Sequence, residues 1–283
     1  MLALVRWLST WPLWLLHALG GWLGWLVYAL SPGYRRRVRD NARIAGISQA
    51  DRRAAVAEAG RLVAELPRLW LRPQGQPLAD AVRWDGAEFV ERAIDEGRGL
   101  VLLTPHLGCF ELAAQSYAER FGPRQPVTVL YRPARQRWLR ELEAVARARP
   151  GLATAPANLA GVRQMLRALK RGETVGLLPD QVPPEGQGVW VPFFGQPAYT
   201  MTLAAKLVQQ TGAQIGLLWT ERLSRGKGYV VRVQALPVPL PASGDEASAR
   251  VVNQAMEWAV THCPRQYLWG YNRYKTPRPA AAP

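Results

Sequence analysis

The chain has 283 residues, enough for one large domain with a short appendage, and its 48% hydrophobic and 20% charged content excludes a generally disordered protein. Two cysteines, Cys109 and Cys263, make neither a disulfide framework nor a metal-ligand spacing, and a reducing compartment is acceptable. A formal net charge of +15 attracts polyanions (nucleic acid, anionic lipid or an acidic carrier protein) unless an arginine-rich genome alone inflates the count.

The first thirty residues choose among those anions. From Trp7 to Tyr34 there is no Asp, Glu, Lys or Arg, and His17 is the one side chain able to carry charge near neutrality. As a single helix, Trp7 to Leu30 would extend about 36 Å, enough to cross a bilayer. Five of the twelve tryptophans lie here, and Arg35, Arg36, Arg37 and Arg39 follow directly. Tryptophan favours the membrane interface, and the arginines hold the C-terminal side in the cytoplasm. A cleaved signal peptide is the rival reading. The stretch is long for one and lacks a small-x-small site, so an uncleaved anchor over residues 1–34 is expected. Pro12 and the glycines Gly20, Gly21 and Gly24 could break the helix and leave it lying in the interface. The Gly20/Gly24 spacing also matches a helix-dimer motif.

Ser48 and Asp51 form a capping-box pattern for a helix from Gln49, with Pro67 expected to interrupt it. A helix over about 86–96 ends at Gly97 and Gly99. Apolar runs at 99–104, 126–131, 174–178 and 213–220 suit buried strands, and helical patterns at about 110–120, 134–148, 158–171 and 200–211 alternate with them. The alternation predicts an α/β fold around a mainly parallel sheet. Residues 229–236 follow a Gly-rich turn and are expected to pair antiparallel with 213–220. A last helix over about 246–262 precedes an aromatic tail.

Residues 104–115, TPHLGCFELAAQ, carry the strongest local signal. His106 falls at the C-terminal end of a strand, where α/β sheets place ligand sites, and Glu111 opens the following helix. The turn between them can fold Glu111 back toward His106. Neutral imidazole can take the proton of a hydroxyl attacking a thioester, with a carboxylate holding its tautomer, so His106 and Glu111 are the candidate catalytic pair. Cys109 between them offers a Cys/His alternative, but its apolar setting reads better as packing. Three histidines at 17, 106 and 262 form no metal-ligand set. Arg132 ends a strand and can reach the same sheet edge. Arg137, Arg140 and Arg147 fall near one helical face, opposite Trp138, Leu142 and Val145, and read as a solvated basic face. Asp180 also follows a strand. The loop after it carries Trp190, Phe193 and Phe194, which could line an acyl pocket or anchor the loop.

Together these residues resemble the late acyltransferases of lipid A biosynthesis, the lauroyl/myristoyl transferase family. His106 and Glu111 in HLGCFE, Tyr131-Arg132-Pro133, Asp180-Gln181 in PDQ, VPFFGQPAYT and QYLWGYNRYKTPRP carry the likeness, over about Arg83 to Pro279. The resemblance implies a glycerol-phosphate-acyltransferase-like mixed sheet flanked by helices, filling residues 35–283. It implies acyl carrier protein as donor, no cofactor or metal, and a phosphorylated lipid A precursor as acceptor. The site would lie on the cytoplasmic face of the bacterial inner membrane. It further implies His106 as general base, Glu111 as its partner, and Arg132, Asp180, Gln181 and Arg273 as substrate-binding positions. Where the family often carries a His-Arg-Arg stretch this chain has Tyr271, Asn272 and Arg273, a difference that bears on the acceptor. Another membrane glycolipid or aminolipid acceptor, and a non-catalytic membrane-bound lipid-binding protein, are the alternatives. No nucleic-acid motif is present.

Overall fold

The computed structural model describes residues 2–73, 76–78, 80–131 and 136–279, without the side chains of 2–4, 137, 138 and 141. Four helices lead: α1 (Leu2–Ser9), α2 (Leu13–Leu30), α3 (Pro32–Ile44) and α4 (Gln49–Trp70). There follow β1 (Val82–Asp85), α5 (Ala87–Glu96), β2 (Leu100–Leu103), α6 (Phe110–Arg120), β3 (Val127–Tyr131) and α7 (Arg137–Arg147). Then come β4 (Leu152–Pro156), α8 (Leu159–Lys170), β5 (Thr174–Leu177), β6 (Gly188–Phe193), β7 (Gln196–Met201) and α9 (Leu203–Thr211). The chain closes with β8 (Gln214–Arg222), β9 (Tyr229–Ala235) and α10 (Asp245–His262).

Seven strands form a sheet in the order β1-β9-β8-β2-β5-β3-β4, and β6 and β7 make a separate hairpin. Strands β8, β2, β5, β3 and β4 run parallel; β9 pairs antiparallel with β8 as expected, and β1 runs parallel to β9. Central β2 is buried along its whole length. Its Val101 and Leu103 meet Met165 of α8, Leu207 of α9 and Met256 of α10. Its Leu100 and Leu102 meet Val90 of α5, Leu112 of α6 and Leu142 of α7. Helices on both faces are what a parallel sheet requires, because each crossover returns over one face.

Several elements differ from expectation. The apolar N-terminal stretch is two helices, broken at Thr10 to Pro12. Pro67 does not stop α4: one turn from the helix end, it leaves unbonded only the carbonyl of Val63, a residue on the exposed side, while buried Leu69 and Trp70 hold the last turn. The loop after β5 contains the β6–β7 hairpin, which splits its aromatics. Phe193 is core, whereas Trp190 is exposed and stands against Tyr199. Strand β4 and helix α3 were not anticipated. Among the described side chains of α7, Leu142 and Ala146 are buried and Val145 is exposed.

Among the described residues α2 is the one helix long and apolar enough to cross a membrane. It packs lengthwise and antiparallel on α4. A Cβ on Gly20 would sit 2.7 Å from the Ala64 Cβ and from the Gly60 carbonyl oxygen, and one on Gly60 would overlap the Gly20 carbonyl oxygen. The small residues therefore seat a helix of the same chain. His17 enters this seam and pairs with buried Glu65 at 2.9 Å. Arg222 at the end of β8 donates to both Glu65 oxygens at 2.8 and 2.5 Å and to Glu58 at 2.6 Å, and the Tyr229 hydroxyl donates to Glu65 at 3.0 Å. Helix α4 also carries Asp51, Arg52, Arg53, Arg61 and Arg68. At a bilayer centre an Asp or Arg costs at least about 2.5–3.5 kcal/mol.

Burial alone would raise the Glu65 carboxyl, but Arg222 and the hydrogen bonds from Arg222 and His17 hold it at about 2 rather than 4.5. A depressed carboxyl stabilises the fold fully above its unfolded value, and that contribution is lost as pH falls from about 4.5 toward 2. Glu65→Ala should cost about 3–5 kcal/mol near neutral pH, because it leaves the Arg222 charge buried with only Glu58. Denaturant unfolding of wild type and variant checks this; a loss under about 1 kcal/mol would mean the pair is not structural.

Candidate active site

Strand register builds the site. Leu103 of β2 lies opposite Leu177 of β5, and three residues beyond each leucine stand His106 and Asp180. Two parallel neighbours thus deliver the two residues side by side at the C-terminal edge of the sheet. Asp180 Oδ1 accepts the His106 Nδ1–H at 2.7 Å, and Oδ2 accepts the His106 backbone N–H at 2.8 Å. One carboxylate therefore fixes both the ring and the backbone of the residue it orients. With Nδ1 protonated, Nε2 carries the lone pair, and the Gln181 amide donates to it at 3.0 Å. The His106 side chain is 17% exposed and that of Asp180 1%.

The turn is clamped from two sides. The His106 carbonyl accepts the Leu268 N–H at 3.1 Å, and the Gly108 N–H donates to the Gln266 carbonyl at 2.9 Å. The Cys109 N–H donates to the Thr220 carbonyl of β8 at 3.1 Å. Gly108 has φ +59, and a Cβ there would overlap the Thr220 carbonyl oxygen, so the turn can be made only by glycine. The His106 ring then stands edge-on to Phe110, 4.8 Å between centroids.

Asp180 sits in a polar pocket of its own. Burial alone would raise its carboxyl; the facing His106 ring and N–H, with Arg273 behind, hold it below the ordinary carboxylate range. The Tyr267 hydroxyl faces it, and burial together with that carboxylate drives the phenol well above its usual value. Burial lowers Arg273 against the opposing pull of Tyr267 and Asp180.

This geometry revises three expectations. The carboxylate on the His106 ring is Asp180, and the substrate-binding position proposed for Asp180 is corrected: it is enclosed and spent on His106. Glu111 does not take that position. Its Oε2 accepts the Trp70 indole N–H and its Oε1 accepts Arg147 Nη2, each at 3.3 Å. It opens α6, four positions past the turn that aims His106 at β5, and α4 and α7 reach it from the other side. Arg273 is 2% exposed and donates to the Tyr199 carbonyl at 2.6 Å and the Thr200 hydroxyl at 2.7 Å, so it braces β7 and faces Asp180. Gln181 lies on His106 Nε2 itself. Arg132 lies outside the described residues.

Cys109 is fully buried, and burial, with Glu65 beside it, pushes its thiol well above the ordinary value. That favours the packing reading over a nucleophile. Arg147, read from sequence as part of a solvated face, lies over the Tyr131 ring at 4.0 Å and is within 3.8 Å of Glu143. Its Nη1 is buried, with no hydrogen-bond partner among the described residues. Trp70, Tyr267 and Leu268 were also not singled out. Tyr267 and Leu268 lie in the tail stretch that carries the likeness, but each of the three acts through a contact across long sequence separation.

A family model described as bacterial lipid A biosynthesis acyltransferase matches residues 1–276. The chain is 27% identical to the lipid A biosynthesis lauroyltransferase of Escherichia coli (strain K12), over 99% of this chain and 94% of that protein. It is 25% identical to the palmitoleoyltransferase of the same organism, over 77% of this chain and 69% of that one. A lipid A biosynthesis acyltransferase of Haemophilus influenzae (strain ATCC 51907 / DSM 11121 / KW20 / Rd) is 28% identical over 65% of this chain and 56% of its own length.

Gly108→Ala should break the turn. Left-handed backbone costs a non-glycine residue about 1–2 kcal/mol before any clash is counted. A lowered unfolding temperature with displaced His106 resonances is the expected result, and an unchanged Tm would show that the Thr220 contact is not tight.

Proposed function

The chain belongs to the bacterial lipid A biosynthesis acyltransferases, and on that premise we propose that it moves a fatty acyl group from acyl carrier protein to a hydroxyl of a phosphorylated lipid A precursor, with His106 as general base. The observation that carries this reading is the Asp180–His106–Gln181 line, which presents a neutral imidazole with its lone pair on a partly exposed Nε2. The acceptor hydroxyl displaces the Gln181 amide from Nε2 and attacks the thioester carbonyl. A C–O bond forms, the C–S bond breaks, and the proton taken by Nε2 passes to the leaving thiolate. Asp180 holds the tautomer and stabilises the imidazolium. Glu111 acts one step away, holding Arg147, which it shares with Glu143. The reaction needs no metal or cofactor. The +15 chain meets an acidic carrier, a phosphorylated acceptor and the cytoplasmic face of the inner membrane with the sign each requires.

One observation favours a different glycolipid acceptor as the second reading. Tyr271, at the tail position that departs from the family's basic stretch, accepts the Val182 N–H through its hydroxyl at 2.9 Å. The departure therefore falls next to Gln181.

Transfer of a labelled acyl group from acyl carrier protein to a tetra-acylated lipid A precursor tests the reading. His106→Ala and Glu111→Ala should each lower transfer at least about 100-fold in folded protein. Asp180→Asn should lower kcat by about 100-fold or more with little change in KM, because it spoils the tautomer without removing the ring. Near-normal turnover by His106→Ala would end the mechanism; activity with another glycolipid alone would select the second reading.

A further inference from the structure

Helix α2 has two opposed stripes. Leu13, Leu16, His17, Gly20, Gly21 and Gly24 are buried at helical spacing against the domain. Trp14, Trp22 and Trp25 follow the opposite side and are 57%, 62% and 42% exposed, and exposed Leu26 continues that face. To cross a bilayer by itself, α2 would have to leave Glu65 and carry His17 into hydrocarbon. To cross while docked, it would draw the charges of α4 with it. Both routes are blocked by the same fact, that α2 shares its buried side with a charged helix.

We infer that α2 does not span: it lies along one leaflet of an anionic bilayer, its tryptophan face in the headgroup–acyl boundary and its glycine face docked on α4. This rests on the membrane location proposed above and fixes how that contact is made. Charge identifies the occupant. Helix α3 begins where the apolar face ends, and its Arg36, Arg37, Arg39 and Arg43 are exposed beside a single acid, Asp40. Such a rim suits anionic headgroups, whereas a second copy of this chain would bring arginine against arginine. The same rim is tied to the site. Asn41 donates to the Trp269 and Tyr271 carbonyls at 2.6 and 2.7 Å, and Arg37 Nε donates to the Gly270 carbonyl at 2.9 Å. That tail segment holds His106 through Leu268. An in-plane α2 therefore sets the base at a fixed depth beside the headgroups, where the sugar hydroxyls of a glycolipid lie.

The seam supplies the test. A Cβ on Gly21 would be 3.7 Å from that of Ala57, within disulfide range. In a Cys263→Ser background, full-length Gly21→Cys/Ala57→Cys should oxidise to the disulfide while bound to phosphatidylethanolamine/phosphatidylglycerol vesicles, and the locked protein should still sediment with them. Single Thr10→Cys should react with an impermeant maleimide added outside those vesicles and not with one trapped inside. A pair that stays reduced on the membrane, or labelling by trapped reagent, overturns the in-plane placement while leaving the acyl-transfer reading intact. Protein that remains in the supernatant, or that buries its tryptophans by dimerising without lipid, overturns the lipid assignment. Normal vesicle binding without acyl transfer would instead count against the proposed reaction alone.

Discussion

Asp180 takes two hydrogen bonds from His106, one from the ring and one from the backbone, and the site depends on that double contact. A carboxylate enclosed to this degree is stable only if its charge is matched, and Arg273 and Tyr267 stand behind it. The tail, the β6–β7 hairpin and the end of β5 thereby converge on one anion. The arrangement leaves His106 one freedom, the lone pair on Nε2. At this sheet edge the direction of the His106 ring is fixed by its own backbone's partner.

A second buried carboxylate, Glu65, plays the parallel role for the N-terminal helices. It joins His17 of α2 to Arg222 of β8, which lies two residues beyond the Thr220 carbonyl that receives Cys109. Helix α4 carries Glu65 five residues before Trp70 at its end, and Trp70 donates to Glu111. One helix thus connects α2 to the carboxylate at the start of α6. Replacing either buried ion network by apolar residues could match its stability, but apolar residues would not fix direction.

The central strands and their helices were legible because each carries its own local signal. Continuous apolar runs marked β2, β3, β5 and β8, and 3.6-residue periodicity marked α6, α8 and α10. The antiparallel turn back from β8 to β9 was legible for the same reason. Strand β4 was not: residues 152–156, LATAP, are half exposed at a sheet edge and carry one large apolar side chain, no β-branched aliphatic residue and a proline. The hairpin β6–β7 hid in a segment rich in Pro and Gly, which also marks loops. Arg147 was misread because periodicity assigns a residue to a face and cannot say that Glu111 and Tyr131 wait there.

The sequence by itself determined the α/β class, the strand-end position of His106 and, through the combination of YRP, PDQ and VPFFG, the family. These follow from local patterning, which is fixed within ten residues or so. Only the tertiary structure decided that the ring's carboxylate is Asp180 and not Glu111. Five residues of sequence separate Glu111 from His106 and seventy-four separate Asp180, yet the β2–β5 register brings the distant one into contact, because hydrogen-bonded parallel strands align their ends regardless of what intervenes. The same holds for α2. Its composition announces a membrane helix, but its stripe of glycines and His17 acquires meaning only against α4, which nothing in the apolar segment encodes.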